Sequence, residues 1–264
     1  MTLSLALLLL PLGAMGGFLA GLLGIGGGMF LVPALTWVFA LLGMSGGDLV
    51  KVAIASSLAT IMLTSLSSIR AHHSRGAIEW SIVRSVAPGL VAGALIGAQF
   101  ARFIPGQWMA WFFAVFVGYS GFQMLLDKKP SPGRMLPGKA GQAGVGVGIG
   151  VLSALVGAGG GFLSVPFMVW CNVAIHRAVA TSAALGFPIA VAGTVGYVVS
   201  GWGRVESLPN TVGYLHWPTI LVISVCSVLF APLGAHAAHR MNVKQLKRAF
   251  GVLLLGLAAY MALR

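Results

Sequence analysis

No charged side chain precedes Asp48, and long uncharged runs recur at 52–69, 85–101, 103–126, 141–175, 178–203 and 249–263. About 20 apolar residues in a helix cross the roughly 30 Å hydrocarbon core of a bilayer. The spacing of charge therefore sets the solvent before it sets the fold. Only 8% of the 264 residues are charged and 58% are hydrophobic, whereas a soluble domain carries roughly 25% charged residues. The chain reads as an all-α, polytopic transmembrane helical bundle that lives in the lipid bilayer.

Residues 1–23 lack a basic n-region, and the apolar character runs past the small-x-small step at Ala14, Met15 and Gly16 as far as Leu42, which argues against a cleaved signal peptide. Cys171 and Cys226 both fall in apolar spans, where buried thiols act as small hydrophobes. Sixteen Lys and Arg against four Asp and Glu give a net charge of +12. In a soluble chain that excess points to nucleic acid. Here the bases sit at span ends and fix topology, so no nucleic acid partner is expected. So few carboxylates also leave little to repel an anion.

The sequence is duplicated. Gly17 to Pro33 aligns without a gap on Gly150 to Pro166, placing Gly24 on Gly157, Gly28 on Gly161 and Pro33 on Pro166. Ala55-Ser56-Ser57 then matches Ala180-Thr181-Ser182, Trp80 matches Trp217, Gly97-Ala98 matches Gly234-Ala235, and Phe113 matches Phe250. This divides the chain into a first transmembrane repeat at 1–127, a cytoplasmic linker at 128–140 and a second transmembrane repeat at 141–264. Each half has five apolar segments: 3–23, 29–43, 50–70, 81–101 and 107–126, then 141–157, 161–173, 178–200, 217–239 and 246–263. The second of each set is shorter than a span, so the count is 8 to 10 segments, with broken or re-entrant helices at the glycine clusters.

Basic clusters orient the segments: Arg70 and Arg75; Lys128, Lys129, Arg134 and Lys139; and Arg240, Lys244, Lys247 and Arg248. Placing these loops in the cytoplasm puts both termini on the exterior face and inverts one half relative to the other. Lys51, Arg102, Arg204 and Arg264 run against the rule singly.

In inverted-repeat transporters, broken helices aim their termini at a midplane ligand. Gly26, Gly27 and Gly28, with Gly159, Gly160 and Gly161, supply such breaks, each opening a short helix with a positive N-terminal end suited to an anion. Close helix packing is the other use of such residues. Pro33 and Pro166 stand early in the short helices or kink them. Ser56, Ser57, Thr181 and Ser182 offer uncharged hydroxyl donors for an anion's oxygens, or bonds to helix carbonyls. The glycine cluster lacks the final small residue of a dinucleotide fingerprint.

Asp48, Glu79, Asp127 and Glu206 lie near span ends, leaving no mid-membrane carboxylate as a proton relay. The histidines cluster at ends too, and proton coupling through one of them stays open. His236 and His239 have i, i+3 spacing without carboxylate or thiolate partners, so no metal and no cofactor is expected. Trp80, Trp108, Trp111, Trp202 and Trp217 read as interfacial anchors. No convergent acid, base or metal set suggests an enzyme.

At Gly21 to Pro33, at Val156 to Pro166, and at the Ala-Ser-Ser and Ala-Thr-Ser steps, the chain resembles the TauE/SafE family of membrane permeases. The resemblance spans the whole chain. It implies an inner-membrane transporter, a sulfite exporter or relative, whose partner is a small sulfur-containing anion such as sulfite or a sulfonate. An anion channel shares the same positive lining. Substrate identity, direction, coupling ion and oligomeric state do not follow from the sequence.

Overall fold

Backbone polar groups in hydrocarbon have to be satisfied within the segment, which leaves the helix as the solution for each apolar run. The structure, a computed structural model, describes residues 3–24, 27–44, 47–126, 135–204, 210–237 and 243–263. Helices form where the uncharged runs lie: α1 (Leu3–Leu23), α2 (Gly28–Leu41), α3 (Leu49–His73), α4 (Trp80–Ala101) and α5 (Gly106–Leu126) in the first half. The second half holds α6 (Lys139–Val156), α7 (Gly161–Trp170), α8 (Ile175–Gly201), α9 (Trp217–Ala237) and α10 (Val243–Ala262). A short antiparallel hairpin, β1 (Thr211–Val212) and β2 (Leu215–His216), precedes α9. Gly26, Asp127, Glu206, Arg240, His239 and most of the 128–140 linker lie outside the described residues.

Helices α3, α4, α5, α6, α8 and α9 are each long and apolar enough to cross a membrane, among the described residues. Helix α2 has 14 residues and α7 has 10. At 1.5 Å per residue these reach about 21 Å and about 15 Å, short of the roughly 30 Å core. Both therefore stop part-way.

Two close helix pairs hold the bundle together, and small residues make each possible. Gly13, Gly17 and Gly21 place one face of α1 on the backbone of α9, where a β-carbon at Gly17 would sit 2.3 Å from the Ser227 oxygen and one at Gly21 1.9 Å from that of Ala231. Gly89, Gly93 and Gly97 of α4 do the same against Ala143, Val147 and Val151 of α6. Without hydrophobic drive in lipid, such backbone proximity supplies the dispersion contacts that hold helices together. Because α1 corresponds to α6 and α4 to α9 in the duplication, the two pairs are one interface formed twice, each joining one half to the other.

Helices α3 and α8, counterparts of one another, occupy the centre and are largely buried. They run antiparallel. Ser56 near the start of α3 meets His216 beyond the end of α8, while Thr181 near the start of α8 meets Glu79 beyond the end of α3. The other counterpart pair, α5 and α10, is also antiparallel, since Gly121 abuts Gly251 and Gly118 lies near Ala258.

The perimeter is apolar. Trp108, Trp111, Val115, Tyr119 and Phe122 of α5, and Leu221, Val225, Leu229 and Leu233 of α9, are exposed at helical spacing. Stripes of that size are untenable in water and fit lipid.

Candidate functional site

The chain breaks twice inside the bundle, and the breaks have the same backbone. Gly24 and Gly157 have φ of 66° and 71°, and Gly27 and Gly160 have φ of 71° and 74°. Left-handed backbone of this kind is accessible to glycine at no steric cost. Gly27 caps α2 and Gly160 caps α7, neither with a side-chain hydrogen bond. The N–H groups of Gly28 and Met29, and of Gly161 and Phe162, have no acceptor within their helices, whereas those of Phe30 and Leu163 bond the Gly27 and Gly160 carbonyls. Pro33 and Pro166 each lie inside the short helix, at its sixth residue.

The two breaks touch. A β-carbon on Gly28 would lie 2.0 Å from the carbonyl oxygen of Gly157. Gly157 also backs onto Ile54 of α3, and Gly24 onto Val179 of α8, which is the same contact with the halves exchanged. Gly159 approaches Gly186 of α8.

All four hydroxyls singled out in the sequence are fully buried and reach across to the other half. Ser57 Oγ donates to the Gly157 carbonyl at 3.0 Å, and Ser182 Oγ donates to the Gly24 carbonyl at 2.6 Å. Ser56 Oγ accepts from the His216 N–H at 3.0 Å, and Thr181 Oγ1 accepts from the Glu79 N–H at 2.9 Å. One member of each pair therefore holds the opposite glycine break, and the other holds the chain entering the opposite α4 or α9. A hydroxyl has one proton to give. Ser57 and Ser182 have given theirs to carbonyls in this conformation, whereas Ser56 and Thr181 retain theirs.

Ion pairs sit at the ends. Asp48 Oδ1 is 2.8 Å from Lys51 Nζ, whose side chain is 6% exposed and lies over the Tyr214 ring. Arg177 pairs with Glu79. The β-hairpin folds inward, burying Tyr214, Leu215 and His216. Burial, followed by the charge of Asp48, pushes the Tyr214 phenol up from its ordinary value. Burial pushes the His216 imidazole down, while its Nδ1 bonds Thr219 Oγ1 at 2.8 Å. His236 Nδ1 takes its partner from Arg75, at 2.9 Å.

The inward hairpin escaped sequence reasoning. Its two-residue strands carry no periodic signal, and only Tyr214-Leu215-His216 hint that the loop is not solvated. A pocket of about 570 Å³ lies away from the breaks, between the end of α2, the start of α3 and the start of α5. Thr36 and Gln107 are the hydroxyl and amide in its lining, and the Thr36 hydroxyl already donates to the Val32 carbonyl. The breaks, whose amide ends no side chain caps, are the better anion candidate.

Comparison with known proteins agrees in kind. The family described as Sulfite exporter TauE/SafE matches residues 9–261. A probable membrane transporter protein of Haemophilus influenzae is 34% identical over 98% of both chains. One from Methanocaldococcus jannaschii is 28% identical over 91% of both, and YdhB of Bacillus subtilis is 27% identical over 88% of this chain and 90% of its own. No solved structure matches. With a doubled glycine break inside an apolar bundle and a match from residue 9 to residue 261, this chain belongs to the TauE/SafE sulfite exporter family.

Proposed function

We propose that the protein is a secondary transporter, acting as an exporter in the inner membrane, for small sulfur-containing anions such as sulfite or organosulfonates. The anion is held at the two glycine breaks and released by alternating access. The observation that carries this reading is the contact of Gly28, at the start of α2, with Gly157, which closes α6, so that the two breaks meet inside the bundle. Helix N-termini attract anions through free N–H groups and the helix dipole. Membership of the TauE/SafE family and the names of the relatives support transport.

The antiparallel course of α3 against α8, and of α5 against α10, supports the inverted arrangement, since a two-fold axis relating antiparallel counterparts lies across the helices. With the basic loops in the cytoplasm, both termini face the exterior. The bonds from Ser56 to His216 and from Thr181 to Glu79 then close opposite ends of the pathway.

Reconstitution into proteoliposomes with radiolabelled sulfite or methanesulfonate tests this. Saturable flux stimulated by unlabelled anion on the opposite side is the expected result. Unit conductance in planar bilayers would make the protein a channel instead, and absence of flux for every sulfur anion would overturn the reading. Valine at Gly27 is a poor probe, because its β-carbon would meet the Gly16 oxygen at 2.5 Å in left-handed backbone.

A further inference from the structure

We propose that the break between α6 and α7 is the binding site for a singly charged oxyanion, with the hydroxyls of Ser153 and Ser164 as its side-chain donors. This rests on the transport reading above and assigns the contact residues within it. Ser153 lies on α6 and Ser164 in the first turn of α7. They are 0% and 1% exposed, and neither hydroxyl has a hydrogen-bond partner. Other hydroxyls in the bundle avoid that condition by turning back on a carbonyl three or four residues earlier, as Thr36, Thr60, Thr64 and Ser120 do. A buried hydroxyl left unpaired carries an unrecovered desolvation cost.

Ser68, Thr194, Ser200 and Ser224 are also unpaired. Ser153 and Ser164 differ from these in flanking a helix break. Ser153 Oγ lies 3.0 Å from the point where a β-carbon on Gly160 would stand, so it faces the N-cap of α7. There the N–H groups of Gly161 and Phe162 have no helical acceptor, and no side chain caps them. Two N–H groups and the Ser153 hydroxyl then meet at one short helix end, and the unpaired Ser164 hydroxyl belongs to the first turn of the same helix.

The first half does not repeat this. In the duplication Ser153 aligns with Ala20 and Ser164 with Leu31. At Gly27 the nearest atom is the Gly16 carbonyl oxygen, an acceptor that repels an anion, whereas at Gly160 the neighbours are the Ser153 hydroxyl, Ile149 and Ile189. The side-chain donors are therefore confined to the second-half break, although the fold is doubled.

Its donors are all neutral. The ion pairs Asp48 with Lys51 and Glu79 with Arg177 lie at helix ends. The desolvation cost of an ion grows with the square of its charge, and dipoles without a countercharge offset it for one negative charge far better than for two. A sulfonate or bisulfite fits, and sulfate does not.

The test is calorimetric titration of the full chain in detergent with methanesulfonate and with sulfate, in wild type and in Ser153→Ala, Ser164→Ala and Ser68→Ala. Ser68 supplies an unpaired hydroxyl away from the break. Methanesulfonate is expected to bind wild type and Ser68→Ala equally. Ser153→Ala and Ser164→Ala are each expected to weaken it by roughly tenfold or more, the loss typical of a hydrogen bond to a charged group, with ligand-free melting temperatures unchanged or raised. Sulfate is expected to bind at least about tenfold more weakly than methanesulfonate. Unchanged affinity in both site variants, with wild type binding and transporting, overturns this site and leaves transport standing. Sulfate binding as tightly as methanesulfonate overturns the charge assignment. Wild type that neither binds nor moves any sulfur anion overturns the transport reading and this inference with it.

Discussion

Ser182 gives its hydroxyl proton to the carbonyl of Gly24 at 2.6 Å, although 158 residues separate them in sequence. Ser57 does the same for Gly157 with the halves exchanged. Alanine at either position removes the donor and leaves a buried carbonyl without it. Each substitution is expected to lower stability by about 1–3 kcal/mol, read by unfolding in detergent micelles. A loss near zero would show that the breaks hold themselves.

The interface of α4 with α6 predicts a contrast between two glycines. A β-carbon on Gly93 would stand 2.1 Å from the Val147 oxygen, so Gly93→Ala forces the helices apart. On Gly148, on the exposed side of α6, nothing lies within 4 Å. Gly93→Ala is expected to lose about 2 kcal/mol or more through lost close packing. Gly148→Ala should be neutral or gain up to about 1 kcal/mol from helix propensity. Melting temperatures of the purified variants decide it.

The two ion pairs should respond unequally. Glu79 and Arg177 have side chains 31% and 52% exposed, and Glu79→Gln is expected to cost at most about 1 kcal/mol. Asp48→Asn leaves the nearly buried Lys51 ammonium with the Tyr214 ring as its remaining contact, and should cost more. Equal losses would refute the distinction.

Acid should loosen the hairpin at 211–216. Burial holds the His216 imidazole below its ordinary value of 6.5, so the unfolded chain binds the proton more readily than the folded one. The stabilising contribution is complete above about pH 6.5, declines as pH falls toward the folded value, and is fully lost below it. Protonation would place a charge among Phe39, Thr219 and Ser56. Hydrogen exchange at Tyr214, Leu215 and His216 is expected to accelerate below that pH in wild type and to stay flat in His216→Gln.

What could be read beforehand followed from local chemistry. The ten apolar segments match the helices to within about three residues at each end, because an apolar run in lipid has to satisfy its backbone internally. The breaks at the glycine clusters are legible because glycine permits a sharp turn, although the left-handed backbone of Gly27 and Gly160 comes from the structure. The partners of the hydroxyls were not, since Ser57 and Gly157 become neighbours only through the fold. Ser153 and Ser164 passed unremarked because a lone serine in an apolar run looks the same whether its hydroxyl is bonded or waiting. The duplication itself drew attention to residues that match, and these two matter for matching nothing.

The glycine ridges also constrain how such a molecule moves. They weld α1 to α9 and α4 to α6, and every one of these contacts crosses from one half to the other. Rocking half against half would have to pry open two backbone-to-backbone seams at once. On the alternating-access reading proposed above, the mechanical units are the cross-half pairs rather than the halves. The bonds at the two ends, Ser56 with His216 and Thr181 with Glu79, the latter beside the Arg177 ion pair, also cross between the halves, so the duplication is better described as two interlocked clasps than as two opposing shells.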